Sequence, residues 1–208
     1  MSSLRAAKPN PRAVARRAAF LEAAAEVFVE QGFEAASMTE IVRRAGGSLA
    51  TLYAQFGNKE GLFQAMMADR IEAIAAPIDA VAEAHLPLEE GLGRIAASYL
   101  DAILTPNAGH MLRMIIAEGR KFPTIARSFL SLGPERVRAA LAGYLAERAA
   151  AGEAKMIDPA ALAAAFLDMV GGTPRMRAVM DLDFAMAPAE RARHVGRCVA
   201  LFLDGVRG

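Results

Sequence analysis

The segment Ser37–Phe56 has the residue types and spacing of two short helices separated by a tight turn. Ser37 and Glu40 have the spacing of a capping box, which predicts the start of a helix. Gly46 and the glycine after it end that helix, and Ser48 is positioned as the N-cap of the next one. Two helices joined in this way form a helix-turn-helix, the unit that places its second helix in the major groove of DNA.

The outward face of the second helix offers groups that contact bases and phosphates. Gln55 can pair with adenine, the small side chain of Ala50 permits close approach, and hydroxyl or ammonium groups bind phosphate. The candidate DNA contacts are Thr39, Ser48, Leu49, Ala50, Thr51, Tyr53, Gln55 and Lys59. On spacing alone, an ordinary helical hairpin with polar residues outside is the alternative.

These two helices cannot bury their apolar faces without a third element. Arg12–Gln31 has a helical pattern with Phe20, Val27 and Phe28 on one face, and Gly32 ends it. Gly and Pro divide the rest of the chain into further helical segments, with no alternating strand pattern. We predict an all-α protein, with a three-helix helix-turn-helix domain over residues 14–74 and a C-terminal helical bundle over residues 75–208.

Composition limits the class of protein. The chain has 208 residues, 54% of them hydrophobic, and 24 basic against 23 acidic side chains give a net charge of +1. This apolar fraction is too high for a disordered chain, and no apolar run approaches the roughly 20 residues of a membrane-spanning helix. The first residues lack the apolar segment of a signal peptide, and Cys198 is the single cysteine. We therefore expect a cytoplasmic protein that does not enter the membrane.

Catalytic motifs are absent from the sequence. His85, His110 and His194 are far apart and lack the spacing of metal ligands. No P-loop, GxGxxG or GxSxG motif occurs, and Cys198 lies in an apolar pattern typical of a buried thiol. We expect no enzymatic activity, no metal and no cofactor.

Residues 14–74 resemble the DNA-binding domain of the TetR family of transcriptional regulators. The resemblance is most specific over Ala45-Gly-Gly-Ser-Leu-Ala-Thr-Leu-Tyr-Ala-Gln-Phe-Gly-Asn-Lys-Glu-Gly-Leu-Phe63. It implies a homodimer whose two recognition helices read a palindromic operator. It also implies phosphate contacts at Thr39, Ser48, Tyr53 and Lys59, with base or groove contacts around Leu49, Ala50, Thr51 and Gln55.

Two positions depart from the pattern of that family. Gly47 stands where Val is usual, which removes an apolar anchor from the turn. Leu49 stands where a polar or basic residue is common, which favours contact with a thymine methyl group over a hydrogen bond to a base.

The C-terminal part resembles the AefR-like subgroup of the family. The similar segments are Arg113–Pro123, Gly133–Arg136 and Asp158–Leu167. This resemblance implies a domain that senses a small molecule, without naming the ligand.

Two C-terminal helices, at 159–180 and 189–206, carry long apolar seams. Apolar positions recur every three or four residues, as in helix bundles. Both faces of each helix could be core, but the resemblance favours a dimer interface made by these two helices. The interface candidates are Met169, Thr173, Met176, Val195, Val199 and Phe202.

Met and Tyr side chains recur on the apolar faces of the C-terminal helices. Met adapts to varied shapes, and Tyr adds a polar group, so as a set they predict a ligand pocket; any one of them is more commonly core. The pocket candidates are Met67, Ile95, Tyr99, Met111, Met114, Ile115, Phe129, Tyr144 and Phe166.

We interpret the chain as a ligand-responsive transcriptional regulator, a homodimeric repressor that a small apolar or aromatic effector releases from its operator. The alternative is a small-molecule-binding helical protein whose DNA binding is weak or lost. Gly47 and Leu49 leave that alternative open.

Overall fold

The computed structural model describes residues 10–155, 158–181 and 183–206, and within these ranges every regular element is a helix. In chain order these are α1 (Pro11–Ala35), α2 (Met38–Ala45), α3 (Leu49–Phe56), α4 (Lys59–Glu83), α5 (Leu88–Ile103), α6 (Pro106–Glu118), α7 (Pro123–Leu132), α8 (Pro134–Ala150), α9 (Pro159–Met180) and α10 (Pro188–Val206). The predicted all-α architecture is confirmed. In the described part of the chain, no helix is long and apolar enough to span a membrane.

The chain divides into an N-terminal unit, Met1–Met66, and a C-terminal unit, Met67–Gly208. The division falls within α4, which contributes residues to both units. The domain limits inferred from the sequence, 14–74 and 75–208, stay a prediction.

A cluster of phenylalanine rings fills the core of the N-terminal unit. Phe28 packs against Phe33 and Phe63, with ring centroids 5.5 Å and 5.7 Å away. Phe20 meets Phe56 edge-on at 6.3 Å. Because Phe20 belongs to α1 and Phe56 ends α3, this contact holds α3 against α1.

Arg44 ties α2 to α1. Its Nη2 lies 2.6 Å from Glu30 Oε2, and its Nε lies 2.8 Å from Glu40 Oε1. Arg43 Nη2 lies 2.7 Å from the same Glu40 oxygen. Hydrogen bonds from Arg43 and Arg44 lower the pKa of Glu40 from 4.5 to about 2. Exposed ion pairs of this kind stabilise little, so the main effect of the cluster is to orient one helix on the other.

The helix α4 continues past the point where its sequence pattern predicts an end. The pattern ends near Ala75, before Pro77, but the helix runs to Glu83. A proline inside a helix costs about 3 kcal/mol. Ile78 and Val81 are buried beyond it, and burying a large apolar side chain contributes about 1.5–3 kcal/mol. Packing beyond the proline therefore offsets its cost.

Prolines and polar caps begin the helices of the C-terminal unit. A proline occupies the first turn of α6, α7, α8 and α9, where its missing N–H is not needed. Thr105 Oγ1 caps α6 by accepting the backbone N–H of Ala108 at 3.2 Å. Asp158 Oδ1 caps α9 by accepting the backbone N–H of Ala161 at 3.0 Å. In the core of this unit, α9 packs against α5, α6 and α8, and α10 packs against α5 and α9.

Tyr144 joins α8 to the loop before α5. Its hydroxyl lies 2.9 Å from the Leu86 carbonyl oxygen and 3.0 Å from that of Pro87. Burial raises the pKa of Tyr144 to about 12. Gly91 on α5 makes room for the hydroxyl, because a Cβ there would lie 1.9 Å from the phenol oxygen.

An internal proline in α9 is compensated by α10. Pro174 has no N–H, so the carbonyl of Val170, four residues earlier, lacks its helical donor. His194 on α10 donates to that carbonyl through Nε2 at 2.8 Å. The bond satisfies a buried acceptor that would otherwise be costly, and it fixes α10 on α9.

Candidate nucleic-acid interface and ligand cavity

The start of α3 is built on a serine cap. Ser48 Oγ accepts the backbone N–H of Thr51 at 3.1 Å, and the two side-chain hydroxyls lie 2.9 Å apart. Leu52 and Phe56 are buried beneath the helix. The other side chains of α3 therefore point outward. The adjacent hydroxyl groups of Ser48 and Thr51 are suited to hydrogen-bond a phosphate.

The predicted DNA contacts are exposed, with Lys59 as the exception. The exposed residues are Thr39, Ser48, Leu49, Ala50, Thr51, Tyr53 and Gln55. Leu49 and Tyr53 are 37% and 48% exposed, which leaves an apolar and an aromatic side chain open to a partner. The helix-turn-helix thus brings these seven residues onto the surface of α2 and α3.

The side chain of Lys59 makes hydrogen bonds to backbone carbonyls within the N-terminal unit. Its Nζ donates to the carbonyls of Glu34 at 2.8 Å and Ala36 at 3.1 Å, and it lies 5.1 Å from the centre of the Phe33 ring. Lys59 therefore closes the end of α1, a role the sequence pattern does not indicate because its partners are distant in the chain. An ammonium group has three protons, so one is still available to a phosphate.

Gly47 has a positive φ, and side chains of α1 surround it. Its φ is +101°, and a Cβ there would lie 3.2 Å from both Phe20 Cζ and Arg16 Nη1. Arg16 also donates to the Ala45 carbonyl at 3.4 Å. Phe20 and Arg16 thus occupy the space beside the turn where the sequence comparison suggested a missing apolar anchor.

Two arginines of α1 adjoin this surface, although sequence reasoning did not select them as site residues. Arg17 lies 5.0 Å over the Phe56 ring and shares a shallow concavity with Val14 and Gln55. Arg16 lies against the turn. The signal for them in the sequence is that residues 1–17 carry five basic side chains and no acidic one.

A cavity of about 320 Å³ lies within the C-terminal unit. Its mostly apolar wall comes from α4, α5, α6, α8 and α9, together with Phe129 of α7. Small-molecule sites span roughly 300–1,000 Å³, so this cavity suits a compact ligand. Of the predicted pocket residues, Met67, Tyr99, Met111 and Phe129 line it.

The other predicted pocket residues do not line this cavity. Ile95, Met114, Ile115, Tyr144 and Phe166 are buried in the surrounding core. Their helical spacing resembles that of the cavity residues. Periodicity marks a buried face, but it does not distinguish a side chain that meets a neighbour from one that meets a void.

The charged residues of the cavity wall are mainly basic, beside the neutral polar residues Tyr99, Thr105 and Asn107. Arg70, Arg138 and Arg175 line it, together with one carboxylate, that of Asp168. Arg175 donates to the hydroxyl of Tyr99, and its Cζ lies 5.6 Å from the ring centre. Burial raises the pKa of Tyr99 against the opposing charge of Arg175, so this phenol is neutral at neutral pH.

The predicted interface residues of α9 lie on an exposed face. Met169 and Met176 are 38% and 59% exposed, and Thr173 is exposed between them. Met180 continues this face with 79% of its surface exposed. The four positions repeat every three or four residues, so they form one apolar stripe along the helix.

The predicted interface residues of α10 are mostly internal. Val199 and Phe202 are 7% and 5% exposed, and Phe202 packs edge-on against Phe166 at 5.0 Å. Val195 is half-buried. The large apolar side chain that α10 exposes is instead Leu201, at 64%.

Two family descriptions match the sequence. Residues 20–66 match the description "Bacterial regulatory proteins, tetR family", and residues 90–205 match "AefR-like transcriptional repressor, C-terminal domain". The matched ranges include the helix-turn-helix in the first case and most of the cavity wall in the second.

Characterised relatives match only part of their own length. The chain is 42% identical to the repressor ComR of Escherichia coli over 64 residues, 31% of this chain and 30% of that protein. It is 29% identical to the regulator SrpR of Pseudomonas putida over 114 residues, 55% of this chain and 52% of that protein.

Solved structures match over nearly the whole chain. A TetR-family regulator from Mesorhizobium loti has a TM-score of 0.85 and 25% identity, covering 96% of this chain and 100% of that one. The flavonoid-responsive regulator FrrA has a TM-score of 0.71 and 30% identity, covering 92% and 97%. The chain therefore belongs to the TetR family of DNA-binding transcriptional regulators, which are not enzymes, and has an AefR-like C-terminal domain.

Proposed function

We propose that this regulator is a homodimeric repressor that binds a palindromic operator and leaves it when a small apolar or aromatic effector fills the cavity. The observation that carries the proposal is the outward face of α3, where hydroxyl, amide and aromatic side chains are exposed above buried Leu52 and Phe56. We place its action in the cytoplasm, as a regulator that must reach operator DNA.

The DNA contacts divide by the information they carry. Ser48, Thr51 and Tyr53 offer hydroxyls for phosphates, which set position without reading sequence. Gln55 offers an amide that pairs with adenine, and exposed Leu49 offers an apolar surface for a thymine methyl group. Together these groups support a specific operator over general affinity for DNA.

The experiment measures fluorescence anisotropy of a labelled duplex taken from the DNA beside the gene. Gln55→Ala should lose about 1–3 kcal/mol of preference at one operator position if the contact is bidentate. Tyr53→Phe, which removes only a hydroxyl, should weaken binding to all sequences alike. The control is Gly143→Ala, an exposed change on α8. If neither α3 variant alters binding, the proposed DNA face is wrong.

Salt dependence provides a second measurement on the same duplex. Affinity should fall by about 0.9 log units per log unit of salt for each phosphate neutralised. Lys59→Ala should reduce this slope, but it also removes bonds to two carbonyls, so its melting temperature must be recorded alongside. Binding that ignores salt would contradict the phosphate contacts, and no binding at any salt concentration would favour the alternative of a ligand-binding protein with lost DNA function.

The exposed stripe of α9 supports the dimer. Met176→Glu places a charge at its centre and should dissociate the dimer in sedimentation velocity, because an unpaired charge in an interface is costly. Ile116→Glu is the matched control, since Ile116 is 65% exposed on α6 and is not one of the predicted interface residues. A wild-type monomer at micromolar concentration would contradict the dimer.

The switch is proposed to act through α4. This helix begins at Lys59 in the N-terminal unit, and its residues Met67 and Arg70 line the cavity of the C-terminal unit. FrrA, which the chain resembles, is described as flavonoid-responsive, and this supports an aromatic effector. A ligand that weakens DNA binding 5–150-fold has a coupling free energy of roughly 1–3 kcal/mol, and operator DNA must then weaken ligand binding by the same factor.

A further inference from the structure

Two arginines of α8, one half-buried and one buried, face carboxylates. On α8, Arg136 Nη2 lies 2.5 Å from Asp79 Oδ2. Further along the same helix, Arg148 Nη1 lies 2.9 Å from Glu153 Oε1. These pairs follow the general rule that a charge away from water needs a counter-charge and hydrogen bonds.

The arginines of the cavity lack such partners. In the ranges that the structure describes, Arg70 and Arg138 make no hydrogen bond or ion pair with another residue. Arg175 bonds to the neutral phenol of Tyr99. One carboxylate, Asp168, therefore stands against three guanidinium groups on the cavity wall, and no carboxylate of the chain lies within ion-pair distance of them in those ranges.

The unpaired charges surround the cavity from different helices. Arg70 belongs to α4, Arg138 to α8 and Arg175 to α9. Gly171 allows α9 to approach α5 closely, since a Cβ there would lie 2.9 Å from Tyr99 Cε1. Because Arg175 donates to the Tyr99 oxygen, the phenol proton is itself available to an acceptor in the cavity.

Arg70 and Arg175 are half-buried and Arg138 is exposed, so these side chains keep partial contact with water. A neutral apolar ligand in the cavity would displace part of that water without replacing its hydrogen bonds. An acidic group on the ligand would accept charge-assisted hydrogen bonds, which are about twice as strong as neutral ones, and arginine is suited to planar acidic groups. The apolar wall, which includes Ile74 and Met111, matches the remainder of such a molecule.

We propose that the cavity binds an organic anion: a compact apolar or aromatic body bearing a carboxylate or comparable acidic group, held by Arg70, Arg138 and Arg175. This inference rests on the proposed function of the cavity as the effector site and names the chemical class of the effector.

The test uses ligands of equal shape and different charge. Calorimetric titrations at neutral pH compare 2-naphthoate, 2-naphthamide and 2-naphthylmethylamine, and then octanoate, octanamide and octylamine. We expect the carboxylate of at least one series to bind tenfold or more tightly than its amide, and the amine to bind worst.

Two substitutions trace this preference to the arginines. The double variant Arg70→Gln with Arg138→Gln should bring the carboxylate to the affinity of the amide and leave amide binding unchanged. Arg94→Gln is the control, because Arg94 pairs with Glu90 outside the cavity. Circular dichroism and melting curves establish that each variant is folded, and Arg138→Gln alone is the second variant if the double variant is not.

The outcomes separate the inference from the proposed function. Amides that bind as tightly as carboxylates, a preference that survives the double variant, or no binding in either series would overturn the anion proposal. Anisotropy with operator DNA tests the switch independently. A carboxylate that binds selectively without releasing DNA would refute the switch and leave the anion site intact. An amide that binds as tightly as the carboxylate and releases DNA would refute the anion site and leave the switch intact.

Discussion

Replacing Gly47 with valine, the residue usual at this position in the family, should destabilise the N-terminal unit. The φ of +101° is strained for any residue with a Cβ, and left-handed backbone costs a non-glycine residue roughly 1–2 kcal/mol. The new side chain also meets Phe20 Cζ and Arg16 Nη1 at 3.2 Å from its Cβ. Phe20 is fully buried and cannot withdraw, so we expect a total loss of about 1–3 kcal/mol.

Urea unfolding followed by circular dichroism measures this loss, with two glycine controls that divide it into parts. Gly57→Ala has a φ of +76° with no atom within 4 Å, so it incurs the backbone cost alone. Gly143→Ala, in the interior of α8 with open space around it, should stabilise by about 0.5–1 kcal/mol. The expected order of stability is Gly143→Ala, wild type, Gly57→Ala, then Gly47→Val.

A Gly47→Val variant as stable as the wild type would refute this reasoning. It would mean that the turn has a second conformation in which valine reaches the core as in other family members. If Gly47→Val and Gly57→Ala lost equal stability, only the part of the argument that concerns contact with Phe20 would fail.

Glu40→Gln should flatten the fall in unfolding free energy between pH 4.5 and pH 2. The depressed pKa of Glu40 in the folded state gives stability that is present above the unfolded-state pKa and is lost as the pH falls through the folded-state pKa. Tyr144 should ionise near pH 12 in an ultraviolet titration, and because its pKa is raised from 10.0, its contribution to stability should be lost as the pH rises between those values. Gly91→Ala should lower the unfolding free energy in urea by about 1–3 kcal/mol through overpacking against the Tyr144 hydroxyl, and by less in a Tyr144→Phe background. Equal losses in both backgrounds would contradict that contact.

Local patterns predicted the helix-turn-helix well because its determinants are close in the sequence. Ser48 caps α3 and Leu52 faces inward, as spacing requires. The predicted capping box of α2 was wrong: the side chain of Ser37 makes no capping hydrogen bond, because Glu40 bonds to Arg43 and Arg44 instead. The carbonyl contacts of Lys59 were not predictable, because they depend on where α1 ends relative to α4. The length of α4 was underestimated for a similar reason, since burial beyond Pro77 depends on packing partners.

The cavity shows the limit of sequence reasoning in another way. Met111 and Met114 lie three residues apart on α6, but one lines the void and the other packs in the core. The cavity arginines were missed because charge in a helical pattern marks a side that water reaches, and such a side can also border a cavity. Only the coordinates show that Arg70 and Arg138 border an apolar space.

The bond between His194 and the Val170 carbonyl provides a natural spectroscopic reporter. A carbonyl only accepts, so Nε2 carries the proton of this hydrogen bond. The chain has three histidines, so its imidazole ¹⁵N spectrum is sparse and one substitution assigns the signal. Cavity residues Asp168 and Arg175 lie on the same stretch of α9. A ligand that moves this stretch will shift the Nε2 resonance, so ligand binding can be followed by NMR without an attached dye.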